Sequence, residues 1–406
     1  MEKGLNNVGR IHNCFGCGVC AAACKHNVIS IILNKDGFYE PNIENADACT
    51  NCGICLDVCA FKHDDLANNN SIISVYGSWS KDEDVRRKCS SGGTGFEIAR
   101  TLMEQGYKAC GVRYNADKNR AEHFIANSIK DYIPSIGSKY IQSYTLEAFS
   151  SIDLKEKYVV TGTPCQIDSF RRYIRKFRKE GNFVLVDFFC HGVPSKFIWD
   201  GYLAKAEKKV GKIVYVAWRH KSTGWHDSWQ ICIDGDKYGE PVNWHDSYNL
   251  LIREKKSFLN SKLSSGDAFY ESFLSDSCLN KACYDNCKYK YQRSSADIRI
   301  GDMWGSRYSS DEKGVTAAIS FTQKGEDLLK QSNCQLELST IEIAGESQMK
   351  SPSKRTIIYY PLRFLIRKKV PFTISYNLLV RPYRFAIRIP NAPNKLKRII
   401  KSMLKK

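Results

Sequence analysis

Two cysteine-rich runs near the N-terminus constrain the fold of this 406-residue chain more than any other feature. The runs read CFGCGVCAAAC, beginning at Cys14, and CTNCGICLDVC, beginning at Cys49. Both follow the spacing C-x2-C-x2-C-x3-C, in which three thiolates hold one iron–sulfur cubane and the fourth reaches the neighbouring cubane. A zinc site needs only four ligands, so it leaves half of the cysteines unexplained. The predicted ligands are Cys14, Cys17, Cys20, Cys24, Cys49, Cys52, Cys55 and Cys59.

This repeat predicts an α+β ferredoxin-like domain over residues 1–67 that holds two [4Fe-4S] clusters. The first cluster is expected on Cys14, Cys17, Cys20 and Cys59, and the second on Cys49, Cys52, Cys55 and Cys24. Between the runs, VISIILNKDGFYEPNI predicts two short strands around the turn at residues 35–37. Lys25 and Ala60 stand where a proline usually follows the fourth cysteine, which removes no ligand. Residues 64–70 are polar and predict a linker.

Cysteine usage and charge bear on the protein's compartment and partners. The chain has 17 cysteines and begins without an apolar leader, so we expect a reducing cytoplasm rather than disulfides. No run approaches the roughly 18 apolar residues that cross a bilayer, so we expect a soluble or at most peripheral protein. The net charge is +18, but residues 341–406 hold 16 basic and two acidic residues, so the basicity belongs mainly to this extension.

Residues 71–340 alternate strand and helix patterns, which predicts an α/β domain. The clearest unit is a strand at 158–162, a helix at about 166–180 and a strand at 183–189. Such a unit is normally right-handed and parallel, so both strands end at one edge of the sheet. Cys165 follows the first strand and Cys190 follows the second. Two distant cysteines are thus predicted at the edge where open α/β sheets bind ligands.

A Ser/Gly loop, SSGGTG at residues 90–95, precedes the amphipathic helix FEIARTLMEQG. Its glycines permit close backbone approach, and free amides at a helix N-terminus attract an anion such as a cofactor phosphate. Taken alone, the loop is also compatible with an ordinary helix cap. Since the two N-terminal clusters would only move single electrons, another part of the chain must supply any substrate chemistry.

Six ordered motifs, together with the ferredoxin-type segment, resemble the beta subunits of coenzyme F420 hydrogenases and dehydrogenases, whose relatives include 7-hydroxymethyl chlorophyll a reductase. The resemblance covers roughly residues 10–340. The motifs are SSGGTG (90–95), GTPCQ (162–166), CHGVPS (190–195), RHKSTGW (219–225), CYDNCKYK (283–290) and ADIRIGDMWG (296–305).

The resemblance implies an α/β flavin-binding domain over residues 71–340, usually with FAD, and a further [4Fe-4S] cluster beside the flavin. The implied ligands of this third cluster are Cys165, Cys190, Cys283 and Cys287. The family more often has C-x2-C at the last pair, whereas this chain has C-x3-C, so Cys278 is kept as a substitute ligand. The alternative is that these cysteines are buried thiols in a member that has lost the cluster.

The flavin phosphate is expected at the loop, with contacts from Ser91, Gly92, Gly93 and Thr94. The cations and the indole of Arg219, Lys221 and Trp225 would suit an anionic, planar molecule, although an exposed strand end is the alternative. Asp302 and Trp304 fit a structural turn as well as a catalytic role, and His191 is expected to be structural. Catalytic residues are not assigned. Core positions are expected for Cys89, Cys110, Cys232 and Cys334.

The expected function is a flavin- and iron-sulfur-dependent oxidoreductase. The flavin would exchange a hydride with a small-molecule substrate or a deazaflavin, and the clusters would exchange single electrons with a ferredoxin or another redox protein. Some relatives accompany surface-polysaccharide genes, which would fit a sugar or lipid-linked substrate. The alternative function is a non-catalytic iron-sulfur electron-transfer subunit or redox sensor.

The extension at residues 341–406 is aromatic, punctuated by prolines and basic. The simplest interpretation is an extra helical layer that ends in a solvated basic helix. A second interpretation is contact with an anionic membrane surface, because interleaved aromatic and basic residues suit the headgroup boundary. Nucleic-acid binding is the least favoured interpretation, since no other segment resembles a motif that recognises nucleic-acid bases.

Overall fold

The computed structural model describes residues 6–68, 71–238, 259–346, 348 and 350–388. The strands are β1 Ile29–Leu33, β2 Tyr39–Ile43, β3 Ser74–Ser80, β4 Lys108–Asn115, β5 Arg120–Ala126, β6 Ser143–Tyr144, β7 Tyr158–Thr161, β8 Phe183–Phe188, β9 Ile213–Ala217, β10 Gln230–Gly235, β11 Leu259–Lys262, β12 Ile298–Asp302, β13 Thr316–Ser320 and β14 Cys334–Leu338. The helices are α1 Val19–Ala22, α2 Ile54–Asp57, α3 Glu83–Lys88, α4 Thr94–Glu104, α5 Ile129–Tyr132, α6 Leu146–Ser150, α7 Pro164–Lys176, α8 Lys196–Val210, α9 Ala268–Phe273, α10 Lys281–Asp285, α11 Gln323–Gln331, α12 Ile341–Ala344, α13 Tyr359–Arg367, α14 Phe372–Ser375 and α15 Arg381–Arg388, with a π-helical turn at Tyr376–Val380. Within these ranges, no helix is both long and apolar enough to span a bilayer.

The small N-terminal region contains an antiparallel hairpin and two matching helices. β1 pairs with β2, with Ile29 opposite Ile43, as the alternating sequence predicts. α1 and α2 each follow a glycine with a positive φ, Gly18 at 72° and Gly53 at 76°. Glycine adopts this conformation without steric cost, so the chain can enter each helix through the same sharp turn. The sequence repeat is therefore also a repeat of backbone conformation.

A nine-stranded mixed sheet forms the centre of the molecule, in the order β14-β3-β13-β12-β8-β7-β4-β5-β6. The four neighbours β12, β8, β7 and β4 run parallel to one another. β13, β3, β14 and β5 join this centre through antiparallel pairs. A smaller antiparallel sheet has the order β11-β10-β9. The mixed α/β architecture with a parallel-rich sheet agrees with the predicted class.

The unit β7-α7-β8 has the predicted parallel arrangement, with Tyr158 opposite Phe183. Its helix begins at Pro164, before the predicted residue 166, because Thr163 and Gln166 form a capping box and proline is favoured at the first helical position. It ends at Lys176 rather than near 180, and Arg178 then adopts a positive φ of 55°. A residue in that conformation ends a helix, as glycine commonly does.

Strand directions place several predicted motifs at one edge of the central sheet. β3 is two antiparallel steps from β12, through β13, so both strands point the same way. The C-terminal ends of β3, β12, β8 and β7 therefore lie at the same edge. The Ser/Gly loop comes after β3, Asp302 ends β12, and Cys190 and Cys165 follow β8 and β7. Open α/β sheets bind their ligands at this edge.

The described part of the C-terminal extension forms a helical layer on the body of the protein. Leu362 and Ile366 of α13, Phe372 of α14 and Val380 of the π-helical turn are buried in one core with Trp199 of α8. The predicted basic terminal helix at residues 395–406 lies outside the described residues.

Candidate functional site

The first ferredoxin-type group surrounds a small cavity between the hairpin and the two short helices. Its walls include Cys14, Cys17, Cys20 and Cys59, and all four cysteines are buried. Burial raises the pKa of the Cys59 thiol, which the neighbouring Cys17 raises further, to about 11. Such thiols become thiolates when they coordinate a metal. The set of four buried cysteine donors fits a cubane.

The second group brings together the other four cysteines of the two runs. Burial raises the pKa of Cys55, and the nearby thiols of Cys52, Cys24 and Cys49 raise it further. The side-chain amide of Asn7 donates to the Cys49 Sγ at 3.3 Å. The structure thus places Cys24 with the second run and Cys59 with the first, which is the exchange of fourth ligands typical of two-cluster ferredoxins.

A third group combines four cysteines from three segments, Cys165 at the start of α7, Cys190 after β8, and Cys283 and Cys287 in and after α10. Burial raises the pKa of Cys165 well above its usual value, and Cys190, Cys17 and Cys283 add to this increase. Burial, Cys190 and Cys287 raise the pKa of Cys283 to about 12. Cys283 lies within α10, and Cys287 lies two residues beyond Asp285, the last residue of that helix.

The structure does not bring Cys278 to this third group. Cys278 is buried in the core that contains Trp199 and Phe269, and its thiol donates to the Ser272 carbonyl at 3.4 Å. Four further cysteines are also buried, namely Cys89, Cys110, Cys232 and Cys334.

In the described part of the chain, no cluster of three or more His, Cys, Asp or Glu side chains is arranged to hold one metal ion. The assignment of two cubanes to the eight ferredoxin-type cysteines therefore rests on their spacing and on their division into two groups of four.

The first and third groups are neighbours that share a wall. Cys17 belongs to the first group and also raises the pKa of Cys165 in the third. The Cys17 thiol donates to the Ser169 hydroxyl on α7 at 3.2 Å, and the same hydroxyl accepts the Ala60 amide at 3.0 Å. Phe15 packs with Cys165 in one apolar cluster. The ferredoxin-type segment is therefore fixed to the sheet edge at the point where the two groups meet.

Three residues in and beside the CYDNCKYK motif brace this contact, and the sequence patterns did not identify their role. The Lys288 Nζ donates to the carbonyls of Ala60 at 3.0 Å and Asp65 at 2.8 Å. Lys290 donates to the carbonyls of Cys190 and His191, the latter at 3.1 Å. Asn280 donates to the Cys14 carbonyl at 2.9 Å. Lys288 and Lys290, which follow the proposed ligand Cys287 by one and three positions, were a sequence signal that could have indicated this role.

The Ser/Gly loop packs tightly against β3 and β13. The Ser91 hydroxyl donates to the Val315 carbonyl at 2.7 Å, and the Gly92 amide donates to the Thr316 hydroxyl at 2.9 Å. A Cβ atom on Gly92 would lie 2.3 Å from the Ser78 carbonyl oxygen, so only glycine fits there. Among the described residues, no side chain caps the start of α4 at Gly93 and Thr94. Uncapped first-turn amides fit an anion such as a phosphate.

Arg219 and Lys221 hold this loop instead of standing free as anion ligands. Both are directed at it from the RHKSTGW motif: Arg219 pairs with Asp302 at 2.8 Å and donates to the Ser90 carbonyl at 3.4 Å. Lys221 donates to the carbonyls of Arg86, Ser91 and Lys313 at 2.5, 2.8 and 2.6 Å. Burial lowers the pKa of Lys221 to about 8. The described network engages all three donors of this ammonium group.

Trp225 is fully buried, which rules out the exposed strand end considered for its motif. Its ring stacks on Trp304 with centroids 4.5 Å apart, and its indole nitrogen donates to Asp302 at 3.1 Å. Asp302 and Trp304 of the GDMWG stretch therefore join the same network as Arg219. His191, next to Cys190, pairs with Asp276 at 2.8 Å, which fits the structural role expected for it.

Comparison with known proteins agrees with both halves of this arrangement. The family model of the 4Fe-4S dicluster domain matches residues 13–63, and the model for the C-terminal part of the coenzyme F420 hydrogenase/dehydrogenase beta subunit matches residues 155–344. Among solved structures, a chain of the xenon-derivatised F420-reducing [NiFe] hydrogenase complex from Methanosarcina barkeri is similar at 16% identity and a TM-score of 0.43, covering 77% of this chain and 94% of that chain. A search of curated proteins finds no match. On these matches, residues 155–344 carry the C-terminal domain of the coenzyme F420 hydrogenase/dehydrogenase beta subunit family, behind a 4Fe-4S dicluster domain at residues 13–63.

Proposed function

We propose that this iron–sulfur redox protein is a flavin-dependent oxidoreductase that couples one-electron carriers to a two-electron substrate. The observation that carries the proposal is the contact of the Cys17 thiol, from the first ferredoxin-type group, with Ser169 on α7, the helix that begins with Pro164 and Cys165 of the third group. Electrons can pass between clusters only if the clusters are close, and a shared wall supplies that closeness. The third group would hold the further [4Fe-4S] cluster, on Cys165, Cys190, Cys283 and Cys287.

The cofactor site proposed for FAD lies at the Ser/Gly loop, on the same sheet edge as the third group. The uncapped amides near Gly93 and Thr94 would hold a phosphate, while Ser91 and Gly92 fix the loop on β13. Arg219 and Lys221 act here as positioning residues, because their hydrogen bonds maintain the loop. A flavin, when bound, exchanges hydride with organic molecules and single electrons with clusters.

The second ferredoxin-type group would exchange electrons with an external ferredoxin or another redox protein. Cys52 of this group is exposed, whereas the cysteines of the first group are buried. The substrate that we propose is a deazaflavin or another small hydride-exchanging molecule, with a sugar or lipid-linked intermediate of surface-polysaccharide synthesis as one class. We assign the reaction to the reducing cytoplasm, because clusters held by free thiolates persist there.

An anaerobic reductive titration tests this function. Three cubanes that accept one electron each and a flavin that accepts two would together accept about five electrons per chain. We expect that number, together with bleaching of a flavin absorbance band. About three electrons without any flavin band would overturn the proposal in favour of a non-catalytic electron-transfer subunit or redox sensor.

A further inference from the structure

The described residues expose twelve large hydrophobic side chains, and seven of them fall within residues 357–387. These seven are Ile357, Tyr360, Phe364, Ile374, Leu378, Phe385 and Ile387. Single exposed apolar residues are ordinary, but a concentration of them in one segment indicates a binding surface.

The exposed residues occupy the outer face of the C-terminal helices. α13 buries Leu362, while α14 and the π-helical turn bury Phe372 and Val380, all in the same core. The opposite face of α13 carries Tyr360 and Phe364, four residues apart and 63% and 58% exposed. Residues four apart lie on one side of a helix. Because both helical segments bury their inner faces in one core, their outer faces form one side of the molecule.

The following segment continues this apolar face. Ile374, Leu378 and Phe385 recur at intervals of four and seven residues along α14, the π-helical turn and α15, and they are 54%, 62% and 69% exposed. All three are exposed on the segment whose Phe372 and Val380 side chains are buried in the core. Prolines at positions 361, 371 and 382 are also exposed beside them. The outer face is therefore largely apolar over three helical elements.

The charged side chains of this C-terminal segment are all basic. The sequence has no acidic residue after Glu346, and 16 Lys and Arg residues follow it. Arg363 and Arg367 pair with Asp36 of the hairpin turn, Arg367 at 2.6 Å, and the Arg367 side chain is 40% exposed. Lys368, Lys369 and Arg381 are also exposed. An apolar face bordered by cations, in a segment that has no acidic residue of its own, is complementary to an anionic, apolar surface.

An open cleft of about 570 Å³ lies beside this face, and its lining includes Arg381, Arg384 and Phe385 of α15. The carboxylate of Glu271 also lines the cleft, where it accepts the Tyr376 hydroxyl at 2.6 Å. Two guanidinium groups and one carboxylate are therefore at the cleft wall next to the Phe385 ring.

We propose that the outer face of α13, α14 and α15 binds the surface of an anionic membrane. The apolar side chains would enter the headgroup boundary, and the cations would face lipid phosphates. The proposed membrane contact does not involve the flavin or the clusters, so its test is independent of the proposed redox function.

Vesicle co-sedimentation of the full chain, purified anaerobically with its clusters, tests this surface. We expect binding to vesicles of phosphatidylglycerol and phosphatidylcholine at low salt, and at least tenfold weaker binding to phosphatidylcholine alone. The variant Phe364→Ser/Leu378→Ser/Phe385→Ser should lower the partition coefficient at least tenfold. Lys368→Gln/Arg381→Gln should have a similar effect, because each cation at an anionic surface contributes about fivefold at low salt.

Two matched control variants distinguish binding through this surface from nonspecific binding to vesicles. Ile32→Ser/Ile73→Ser/Leu338→Ser removes three exposed apolar residues elsewhere, and Lys208→Gln/Lys209→Gln removes two exposed cations of α8. Both controls should bind vesicles like the parent chain, and iron content with circular dichroism should show that all variants fold. Absence of sedimentation with anionic vesicles, or equal loss in the controls, overturns the proposal. So does a parent dimer or nucleic-acid complex that the triple variant abolishes while vesicle binding is unchanged.

Discussion

At the residue scale, Asp302 balances a guanidinium group that is fully buried. It accepts from Arg219 at 2.8 Å and from the Trp225 indole at 3.1 Å. Burial alone would lower the pKa of Arg219, but Asp302 raises it overall. Asp302→Asn leaves this cation without a counter-charge, so we expect about 3 kcal/mol lower unfolding free energy in denaturant titrations. Glu83→Gln, whose partner Lys313 is exposed, should change it by less than about 0.5 kcal/mol. A loss below about 1 kcal/mol at Asp302 would contradict this role.

His123 on β5 makes the fold sensitive to acid. Its Nε2 contacts the Thr161 carbonyl at 3.0 Å, and burial lowers its pKa to about 4. An unfolded histidine has a pKa of about 6.5, so between pH 6.5 and 4 the unfolded chain binds the extra proton and the fold loses stability as pH falls. At pH 5.5 this loss is about 1.4 kcal/mol relative to neutral pH. Urea midpoints at pH 7.5 and 5.5 should show a smaller drop for His123→Gln than for the parent chain. Equal drops would refute the assignment.

Cysteines of the third group should differ from the other buried thiols in the iron that they retain. Cys190→Ala/Cys283→Ala removes two of the four proposed ligands, so we expect a loss of about four irons per chain after anaerobic reconstitution. Cys278→Ala removes a buried thiol in the neighbouring core and should lose none. If both variants lose the same amount of iron, the third group is not a cluster site.

At the element scale, the β1–β2 hairpin is tied to α13 through Asp36. Burial alone would raise the pKa of Asp36, but hydrogen bonds from Arg367 and Arg363 lower it overall. Asp36→Asn weakens both ion pairs, so we expect about 2 kcal/mol less protection, or roughly thirtyfold faster amide exchange, in α13. Hydrogen-exchange mass spectrometry measures this, with Asp117→Asn at an exposed pair as the control. Unchanged exchange in α13 would show that the tie is not needed.

The element scale also separates what local sequence can predict from what it cannot. The unit β7-α7-β8 was predicted because its hydrophobic runs are local signals, although the Thr163 cap and Pro164, also local, would have placed the helix start correctly. The place of β3 between β13 and β14 was not, because these pairs join residues more than 230 positions apart. Separation along the chain also hid the partners of Arg219 and Lys221, which were predicted to line a pocket for an anionic molecule. By contrast, the ferredoxin-type ligands can be predicted from cysteine spacing, because in each run three cysteines hold one cluster and the fourth holds the other.

At the scale of the whole molecule, the chain is organised around one edge of the central sheet. The ferredoxin-type region is fixed there by Ser169, Asn280 and Lys288. The third cysteine group and the Ser/Gly loop lie on the same edge. The C-terminal helix α13 contacts the β1–β2 hairpin through the ion pairs of Arg363 and Arg367 with Asp36. This arrangement fits a path for electrons that enters at the exposed Cys52 and ends at the loop.

Iron and flavin content per chain after anaerobic reconstitution tests this account most directly. Three cubanes of four irons and one flavin give about twelve irons and one flavin per chain, which is the result we predict. Control samples of Cys190→Ala/Cys283→Ala should give about eight irons under the same conditions. About eight irons and no flavin in the parent chain would contradict the account, because the protein would then be an electron carrier alone.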